Sequence, residues 1–397
     1  MLVDPESMTM AERFDVVVVG GGIAGLAQAW AASRAGRSVV VLEQSPYAQG
    51  ASIRNFGMVC PVCLPAGVDL DAAMRSRSLW LEASEQAGFA SHTRGMVFLA
   101  TREDEWAVLR EFCEAAQGLA YDCEMLGRDA VRARCPAANG AQVVGGMYSK
   151  TEVGIDPRGA LPKLAAMLSE RHGVRVAYER AVVGVRPGVV TCGDGGRYVA
   201  GERVVVCGGA QTRQFYPEVF AQRGVRKCKL QMLSTAPQPG GWSCGPMVAG
   251  GLALRHYASF AGCASLPALK ARIVSERPEL ERYGIHVLAA QHPSGEVVLG
   301  DSHEYGQEVS PFDREDINTL ILRELRELIE LPDWTIRRRW HGVYLSAPGQ
   351  THLVTEPEPG VTVFGVMGLG MTLAFGLAER MWGASLSPAQ PALPSQG

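Results

Sequence analysis

Residues 14–43 read FDVVVVGGGIAGLAQAWAASRAGRSVVVLE, and this stretch decides the fold. The run FDVVVV is apolar and β-branched, as a strand buried within a parallel sheet requires. A glycine-rich turn follows it, then an alanine-rich segment that predicts a helix closed by Gly36, and then a second buried strand, SVVVL. A strand, a helix and a strand within about 30 residues predict a βαβ unit and a parallel sheet.

The turn carries the pattern G-x-G-x-x-G at Gly20, Gly22 and Gly25, with Glu43 at the end of the second strand. Gly20 permits the tight turn, Gly22 lets the backbone approach a pyrophosphate, and Gly25 lets helix and strand pack closely. The helix N-terminus offers N–H groups and partial positive charge to phosphates. Glu43 would accept a hydrogen bond from a ribose hydroxyl and repel a 2′-phosphate, which disfavours NADP. The motif predicts a dinucleotide site and leaves FAD and NAD open.

Composition excludes several classes of protein. The 397 residues carry a formal net charge of −3, and nucleic-acid binders need a basic face, so no nucleic-acid partner is expected. Ten cysteines are too dilute for a disulfide scaffold. The N-terminal segment MLVDPESMTMAER lacks a secretory signal, and no uninterrupted apolar run is long enough to span a membrane. We therefore expect a cytoplasmic protein, and no residue spacing predicts a metal site.

Strands that end at glycine recur at the N-terminus, the centre (residues 203–207) and the C-terminus (residues 361–366). One nucleotide-binding domain assembled from three separated segments explains this recurrence. Between them, a helix capped by Asp156 with Pro157 at its first position, a strand at residues 284–290 and a helix at residues 314–331 are predicted. The predicted domains are nucleotide-binding residues 12–90, 150–225 and 345–383, substrate-binding residues 91–149 and 226–344, and a disordered tail at residues 384–397.

From this point the chain resembles a known family. GGGIAG, LEQS and GASIRNFGMV, with VVVCGGA at residues 204–210 and GVMGLGMTLAFGLAE at residues 365–379, resemble the FAD-binding segments of the D-amino-acid-oxidase superfamily, which includes glycine oxidase and sarcosine oxidase. The resemblance implies an α/β fold: a glutathione-reductase-type, Rossmann-like FAD domain with an inserted α+β substrate domain on an antiparallel sheet. RNFGMV, KLQM, RHYASF, GDSHEY and RWHGVY resemble a subgroup associated with phosphonate catabolism.

The resemblance also implies the cofactor, FAD, and the residues that would contact it. Relatives that hold FAD covalently use a cysteine where this chain has Tyr344-Leu345-Ser346, so noncovalent FAD is expected. Residues 51–58 would lie against the flavin, Val183 near the adenine, and the turn before the last helix at the pyrimidine edge. The predicted cofactor-binding residues are Gly20, Gly22, Ile23, Ala24, Gly25, Glu43, Gln44, Ala51, Ser52, Arg54, Asn55, Phe56, Gly57, Met58, Val183, Gly208, Gly209, Gly368, Gly370, Met371 and Thr372.

The substrate side departs from glycine oxidase and its close relatives. Tyr344 stands where those relatives hold a substrate carboxylate with an arginine, and a second arginine found in some of them is replaced within the stretch Met367-Gly368-Leu369. A bidentate arginine is hard to replace when a planar carboxylate must be held, which disfavours simple α-amino acids. The candidate catalytic or substrate-binding residues are Arg54, His256, Tyr257, His303, Tyr305, His341 and Tyr344, with Lys229 as a further possible anion contact.

The resulting hypothesis is an FAD-dependent amine oxidoreductase that oxidises a C–N bond by hydride transfer to flavin N5, after which the imine hydrolyses to an aldehyde and an amine. The subgroup resemblance indicates an N-alkylated 2-aminoethylphosphonate-like substrate, with O₂ or another molecule as electron acceptor. The alternatives are an oxidase of another amino acid or of a 2-hydroxy acid, and a non-enzymatic dinucleotide-binding protein. Residues 51–58, which the resemblance places against the flavin, are called the flavin loop below. Cys60 and Cys63 form C-P-V-C beside this loop, and for this pair packing is favoured over a redox role.

Overall fold

The computed structural model describes residues 11–383, so the predicted disordered tail at residues 384–397 lies outside the described residues. The strands in this range are β1 (Glu12–Val19), β2 (Val39–Leu42), β3 (Met58–Val59), β4 (Ser91–His92), β5 (Met96–Ala100), β6 (Cys123–Gly127), β7 (Gly145–Ser149), β8 (Val153–Ile155), β9 (Arg175–Ala177), β10 (Val182–Arg186), β11 (Val189–Cys192), β12 (Arg197–Val206), β13 (Arg226–Thr235), β14 (Met247–Gly250), β15 (Leu288–Gln291), β16 (Val297–Gly300), β17 (Glu304–Gly306), β18 (Ile336–Ser346), β19 (His352–Glu358) and β20 (Val361–Val366).

The helices in the same range are α1 (Ile23–Arg34), α2 (Val68–Ala87), α3 (Glu103–Ala115), α4 (Arg128–Arg134), α5 (Pro157–His172), α6 (Pro217–Gln222), α7 (Leu266–Glu276), α8 (Pro278–Arg282), α9 (Glu315–Leu328) and α10 (Gly370–Met381). None of these helices combines the length and the apolar character needed to cross a bilayer.

The first sheet has eight strands in the order β10-β11-β12-β1-β2-β9, with β20 pairing β12 and β19 pairing β20. Strand β1 lies at the centre, parallel to β2 on one side and to β12 on the other. Valines 16–19 are buried at every position, which is why this strand reads as a continuous apolar run. The parallel core with an inserted second sheet confirms the α/β fold class predicted from the sequence.

Helices α1, α2, α5 and α10 pack together against this sheet. Aromatic rings join three of them, because Phe375 on α10 meets Trp30 on α1 and Trp80 on α2 edge-to-face, with ring centroids 5.2 and 4.8 Å apart. Such contacts add to the apolar area that large rings bury. The predicted cap of α5 is confirmed, since the Asp156 side chain accepts a hydrogen bond from the N–H of Arg158.

The second sheet has nine strands in the order β17-β13-β16-β15-β14-β5-β7-β6, with β18 pairing β13. All of its pairings are antiparallel except the one between β5 and β14. Its strands come from two stretches of chain, residues 96–149 and 226–346. In the sequence, strands β9 to β12 of the first sheet lie between these two stretches. Where the boundary between the two domains falls remains a prediction.

Two predicted elements are shorter in the structure than in the sequence analysis. Helix α9 ends at Leu328, and the carbonyl of Leu328 accepts from Asn139 N–H, so the predicted extension to residue 331 is wrong. The strand predicted at residues 284–290 begins only at Leu288. Gly284 has a φ of +52° in a turn, and His286 pairs its backbone with Asp301 instead, which breaks the apolar run into a loop and a strand.

Helix α1 begins in direct contact with the end of β1. A Cβ added at Gly25 would lie 1.8 Å from the carbonyl oxygen of Gly20, so only glycine fits there. We expect Gly25→Ala to lower the free energy of unfolding by about 3 kcal/mol, the upper end of the usual cost of overpacking. Urea denaturation measures this change.

Gly159→Ala is the matched control, because a Cβ at Gly159, in the first turn of α5, meets no atom within 4 Å. This control should keep or raise stability, by up to about 1 kcal/mol, because alanine is the better helix former. If Gly25→Ala unfolds at the same urea concentration as the wild type, helix α1 does not press on β1 as described.

Candidate active site

Three parallel strands of the first sheet end side by side, and their last residues build a glycine-lined cradle. Gly20 follows β1 with a φ of +103°, and a Cβ there would lie 2.8 Å from the carbonyl oxygen of Cys207, at the end of β12. A Cβ at Gly22 would lie 2.9 Å from Ser52 Oγ. Gly208 and Gly209 extend the cradle after β12, with Gly209 at a φ of +56°. Because these positions are glycines, no side chain fills the cradle, and a ligand could approach the protein backbone closely.

Glu43 stands just after β2 and is buried, with 9% of its surface exposed. Its carboxylate accepts hydrogen bonds from the N–H of Gly21, at 2.7 Å, and of Ser45, at 3.0 Å. Gln44, the next residue, donates to Gln211 beyond β12. The carboxylate therefore bridges the glycine turn and the β2 end, where a ribose hydroxyl would meet it.

Helix α1 has no capping side chain at Gly22, which leaves the backbone N–H groups of its first turn in need of outside partners. Ile23 N–H donates to Ser52 Oγ at 3.0 Å, and Ala24 and Gly25 complete the turn. Because Ser52 belongs to the segment predicted to face the flavin, this hydrogen bond ties the predicted phosphate and flavin segments together.

The segment of residues 51–58 is a fixed loop between the two sheets. Asn55 holds it from inside, donating to the carbonyls of Ala51 and Ser52 and accepting from Gly57 N–H. Gly57 has a φ of +73°, and a Cβ there would lie 1.7 Å from the Ile155 carbonyl oxygen. Asn55 and Gly57 thus set the loop's shape, whatever they touch in the cofactor.

The loop also contacts the second sheet. Phe56 lies over Gly300 of β16, since a Cβ at Gly300 would be 3.2 Å from its ring. A Cβ at Gly342 of β18 would be 3.1 Å from the Arg54 carbonyl oxygen. Met58 packs against the apolar core beneath the second sheet. Two glycines in the strands therefore let the flavin loop lie directly on the sheet.

The turn before α10 completes this part of the site. Gly368 has a φ of +75°, and a Cβ there would be 2.9 Å from the ring of Tyr344, so these two predicted residues are in contact. A Cβ at Gly370 would be 3.4 Å from the Ile23 side chain, which places the N-termini of α1 and α10 side by side. Thr372 donates its N–H to the Leu369 carbonyl, whereas within residues 11–383 the N–H groups of Gly370 and Met371 make no backbone hydrogen bond.

Two predictions outside this cluster can also be located. Val183 lies on β10 and is 64% exposed, three residues after Arg180, whose N–H donates to the Glu43 carbonyl. Cys60 and Cys63 are buried in the apolar core, as unlinked cysteines. The hydrogen bond to Cys63 and burial raise the pKa of Cys60 well above its ordinary value, which suppresses the reactive thiolate and favours packing over redox chemistry.

A cleft of about 750 Å³ opens beside the flavin loop at Arg54. Arg54 donates to the carbonyl of His341, and neither Arg54 nor Arg337 forms an ion pair within residues 11–383. His341 is engaged by Asp313 at 2.8 Å, and Lys229 is fully buried against the same carboxylate at 3.0 Å. The cleft is lined by Ile53, Arg54, Asn55, Arg158, His292, Val298, Asp313, Arg337, Arg338, Arg339, Trp340 and His341.

The charge of this cleft is positive because its cations outnumber its acids. Arg158 and Arg338 share Glu296, and Arg339 pairs with Glu315. Asp313 is the one acidic residue in the lining. Lys229, considered as an anion contact, is instead a structural cation that holds Asp313, and its ammonium also donates to the Phe312 carbonyl. Arg158 and His292 line the cleft without having been singled out in the sequence.

The remaining predicted residues gather around a group of histidines near Tyr344. Ring centroids lie 3.4 Å apart between His256 and His286, and 4.3 Å apart between His286 and His303. Tyr344 lies 6.4 Å from His303 between ring centroids. Tyr257 lies 6.0 Å from His286, and Tyr305 lies 6.2 Å from His303. Tyr305 is 45% exposed, with the guanidinium of Arg226 over its ring.

Asp301 and His286 belong to this group and were not among the predicted residues. Asp301 Oδ1 lies 3.8 Å from His286 Nδ1, and Asp301 Oδ2 lies 4.0 Å from His303 Nε2. Burial raises the pKa of Asp301 well above its ordinary value and lowers the pKa of His303 to about 4. The motif GDSHEY contained Asp301, but His286 stands alone in an apolar stretch that carries no sequence signal.

The structure therefore brings the predicted residues together in three places. The strand ends and the α1 N-terminus form the glycine cradle, the loop of residues 51–58 meets the α10 turn, and the second sheet supplies the cleft and the histidine group. Arg54 and His341 belong to the cleft, whereas His256, Tyr257, His303, Tyr305 and Tyr344 belong to the histidine group.

Several solved structures share the fold of this chain. The chain resembles glycine oxidase from Geobacillus kaustophilus with a TM-score of 0.73 at 19% identity, covering 97% of this chain and 98% of that one. It resembles L-amino acid deaminase from Proteus myxofaciens with a TM-score of 0.72 at 17% identity, covering 97% and 92%. L-α-glycerophosphate oxidase from Mycoplasma pneumoniae, solved with FAD bound, gives 0.70 at 18%, covering 94% of each chain. These likenesses establish the shared fold.

Structural similarity at such low sequence identity does not show the family, but a match to a family model does. No curated protein matches the sequence. The model of the DAO family, described as FAD dependent oxidoreductase, matches residues 15–382 and so includes all three segments of the cradle. This match confirms the predicted cofactor and enzyme class. The chain belongs to the DAO family of FAD-dependent oxidoreductases.

Proposed function

We propose that this enzyme oxidises a C–N bond of a small amine that carries an anionic group, and that the substrate is an N-alkylated 2-aminoethylphosphonate or a close analogue. The positive cleft beside the flavin loop carries the proposal, because Arg54 and Arg337 offer guanidinium groups that no acid within residues 11–383 neutralises. Glycine oxidase and the L-amino acid deaminase named above act on amines within the same fold, which supports the choice of bond.

The described residues fit FAD. Glycines leave room for a pyrophosphate at the cradle, the uncapped α1 N-terminus offers donors to its phosphates, and Glu43 faces the place of a ribose. Gly370 and Met371 would present N–H groups to the flavin ring. FAD, when bound, accepts a hydride equivalent from the substrate carbon next to nitrogen. No cysteine stands at residues 344–346, so we propose that the cofactor is noncovalent.

The second sheet argues against a planar carboxylate clamp. Tyr344 occupies the position against Gly368, and its phenol cannot form the paired N–H bonds of a guanidinium. A phosphonate is tetrahedral and doubly charged, so several separate donors hold it better than one planar fork. The two cleft arginines without ion pairs lie on separate elements, Arg54 on the flavin loop and Arg337 on β18, which suits such a group.

The reaction follows from these positions. The cleft binds and orients the anion, while the ring of Tyr344 excludes water beside the turn of Gly368 and the ring of Phe56 covers Gly300. The amine carbon gives up a hydride, the nitrogen lone pair forms the C=N bond, and a nitrogen proton is released to solvent. Addition of water then breaks the C–N bond to give an aldehyde and an amine. O₂ or another acceptor would reoxidise the cofactor.

The Glu43 carboxylate is expected to hold the FAD ribose. Glu43→Gln should raise the dissociation constant for FAD about 10- to 150-fold, because a hydrogen bond to a charged group contributes about 1.5–3 kcal/mol. Titration of flavin-free protein with FAD, followed by flavin fluorescence, measures this. Glu202→Gln is the control, since Glu202 pairs with Arg37 at the surface. Unchanged affinity in Glu43→Gln would remove Glu43 from the ribose site.

The cleft predicts a substrate preference. Under anaerobic conditions, an N-alkylated 2-aminoethylphosphonate should bleach the flavin at least ten times faster than glycine, sarcosine or D-alanine. Stopped-flow absorbance compares the rates, with 2-hydroxy acids included to test the alternative reaction. Fast reduction by glycine or D-alanine would show that another residue replaces the missing arginine clamp. Fast reduction by a hydroxy acid would show that the enzyme oxidises a C–O bond rather than a C–N bond.

Arg54 is expected to bind the substrate anion. Arg54→Ala should lower kcat/KM for the phosphonate about 10- to 150-fold, the loss of one charge-assisted contact, and should affect an uncharged amine of similar size much less. Arg223→Ala, an exposed change at the end of α6, is the control. Equal losses for charged and uncharged amines would assign Arg54 to flavin binding or structure instead.

A further inference from the structure

His286, Asp301 and His303 converge on one point in the histidine group. One ligand atom from each, either a ring nitrogen or a carboxylate oxygen, lies within 4.8 Å of the other two. His286 and Asp301 are 5% and 4% exposed, so water does not easily replace a missing partner. Two imidazoles and one carboxylate are a ligand set that divalent first-row transition metals prefer.

Two atoms of this group lack partners within the described part of the chain. Asp301 Oδ1 and His286 Nε2 are buried and make no hydrogen bond. The separations of 3.8 and 4.0 Å from Asp301 to the two imidazoles are too long for direct hydrogen bonds. Buried polar groups are normally paired, and the unpartnered Asp301 Oδ1 lies 3.8 Å from His286 Nδ1, the other nitrogen of that ring. This oxygen and the two imidazoles therefore leave a site for an ion.

His303 is oriented as a metal ligand. Its Nδ1 lies 3.0 Å from the Gly284 carbonyl oxygen, which can only accept, so Nδ1 carries the proton and Nε2, 4.0 Å from Asp301 Oδ2, keeps its lone pair for a ligand. Histidines that ligate metals commonly donate their other N–H to a carbonyl in this way. With bonds of about 2.1 Å in tetrahedral geometry, ligand atoms lie roughly 3.4 Å apart, so the two pairs that include Asp301, at 3.8 and 4.0 Å, must each approach by about half an ångström.

The group does not fit an anion as its direct occupant. A carboxyl oxygen and two ring nitrogens lie within 4.8 Å of one another, and the three side chains include no arginine or lysine that could compensate the charge of an anion. No arginine or lysine forms an ion pair with Asp301 within residues 11–383. A cation with acceptor positions is the matching ligand.

We propose that His286, Asp301 and His303 bind one divalent transition-metal ion, with Zn²⁺ or Co²⁺ as suitable probes. Three protein ligands leave at least one coordination position open, as in catalytic metal sites. Resting on the proposed function, the open position offers an alternative to the Arg54 cleft for an oxygen of the substrate's anionic group, close to Tyr344 and hence to the Gly368 turn. The missing arginine clamp would then be replaced by a metal ion.

The test is metal binding by the FAD-loaded enzyme after dialysis against EDTA. Co²⁺ should bind at one ion per chain and give d–d absorption at longer wavelength than the oxidised flavin band, and Zn²⁺ should displace it. Asp301→Asn and His303→Asn should each weaken Co²⁺ binding by at least about 100-fold, more than the loss of an outer-sphere partner. Elemental analysis of the wild-type enzyme checks the stoichiometry without any variant.

The matched control is His352→Asn. His352 also faces a carboxylate, Asp69, at 3.9 Å, but it belongs to no group of three such ligands within the described residues. This control should bind Co²⁺ as the wild type does. Absence of stoichiometric Co²⁺ and Zn²⁺ binding by the wild type overturns the proposal, as does equal affinity in His352→Asn and His303→Asn.

A second measurement separates this inference from the proposed function. If metal binds but no amine bleaches the flavin, the amine-oxidation proposal fails and the metal site stands. If the phosphonate bleaches the flavin equally fast with and without metal, the ion does not hold the substrate anion. An at least tenfold faster rate with metal, seen for the phosphonate and not for an uncharged amine, supports the role.

Discussion

The structure depends on the close approach of helix α1 to strand β1. The carbonyl of Gly20 lies where a Cβ of residue 25 would be, so the helix can start against the strand only if residue 25 is glycine. That contact directs the α1 N-terminus at the ends of β1, β2 and β12. The phosphates of a dinucleotide bind to free N–H groups at a helix N-terminus. The contact between Gly25 and Gly20 therefore fixes both the packing of α1 on β1 and the position of the cofactor site.

The flavin loop transmits this arrangement to the second sheet. Ser52 accepts from the first turn of α1, Gly57 lies against Ile155, and Phe56 and the Arg54 carbonyl rest on Gly300 and Gly342. Each contact is short and three involve a glycine, so the loop cannot shift without a collision. The substrate-side residues are therefore held in register with the cradle, although they come from distant parts of the chain.

Electrostatics divides the substrate side into two environments. The cleft at Arg54 is open and positive, whereas the group of His286, Asp301 and His303 is buried and rich in acceptors. Tyr344 stands beside the second environment and against the Gly368 turn. The proposed anionic substrate would be held through the first environment directly, or through a cation bound in the second.

The sequence by itself determined the βαβ unit, the cradle glycines, the place of Glu43 at the end of the second strand, and the Asp156 cap of α5. It also indicated the family. Each of these depends on neighbours within a few residues or on a motif of fixed spacing. It failed where contacts are distant along the chain. His286 lies outside the strand that was predicted at residues 284–290, because its backbone pairs with Asp301. Lys229, considered as a contact for the substrate anion, is buried against Asp313. Only the tertiary structure set Asp301 between two histidines and opened the cleft at Arg54, because sheet pairing and strand register decide which side chains share a space, and no local pattern records them.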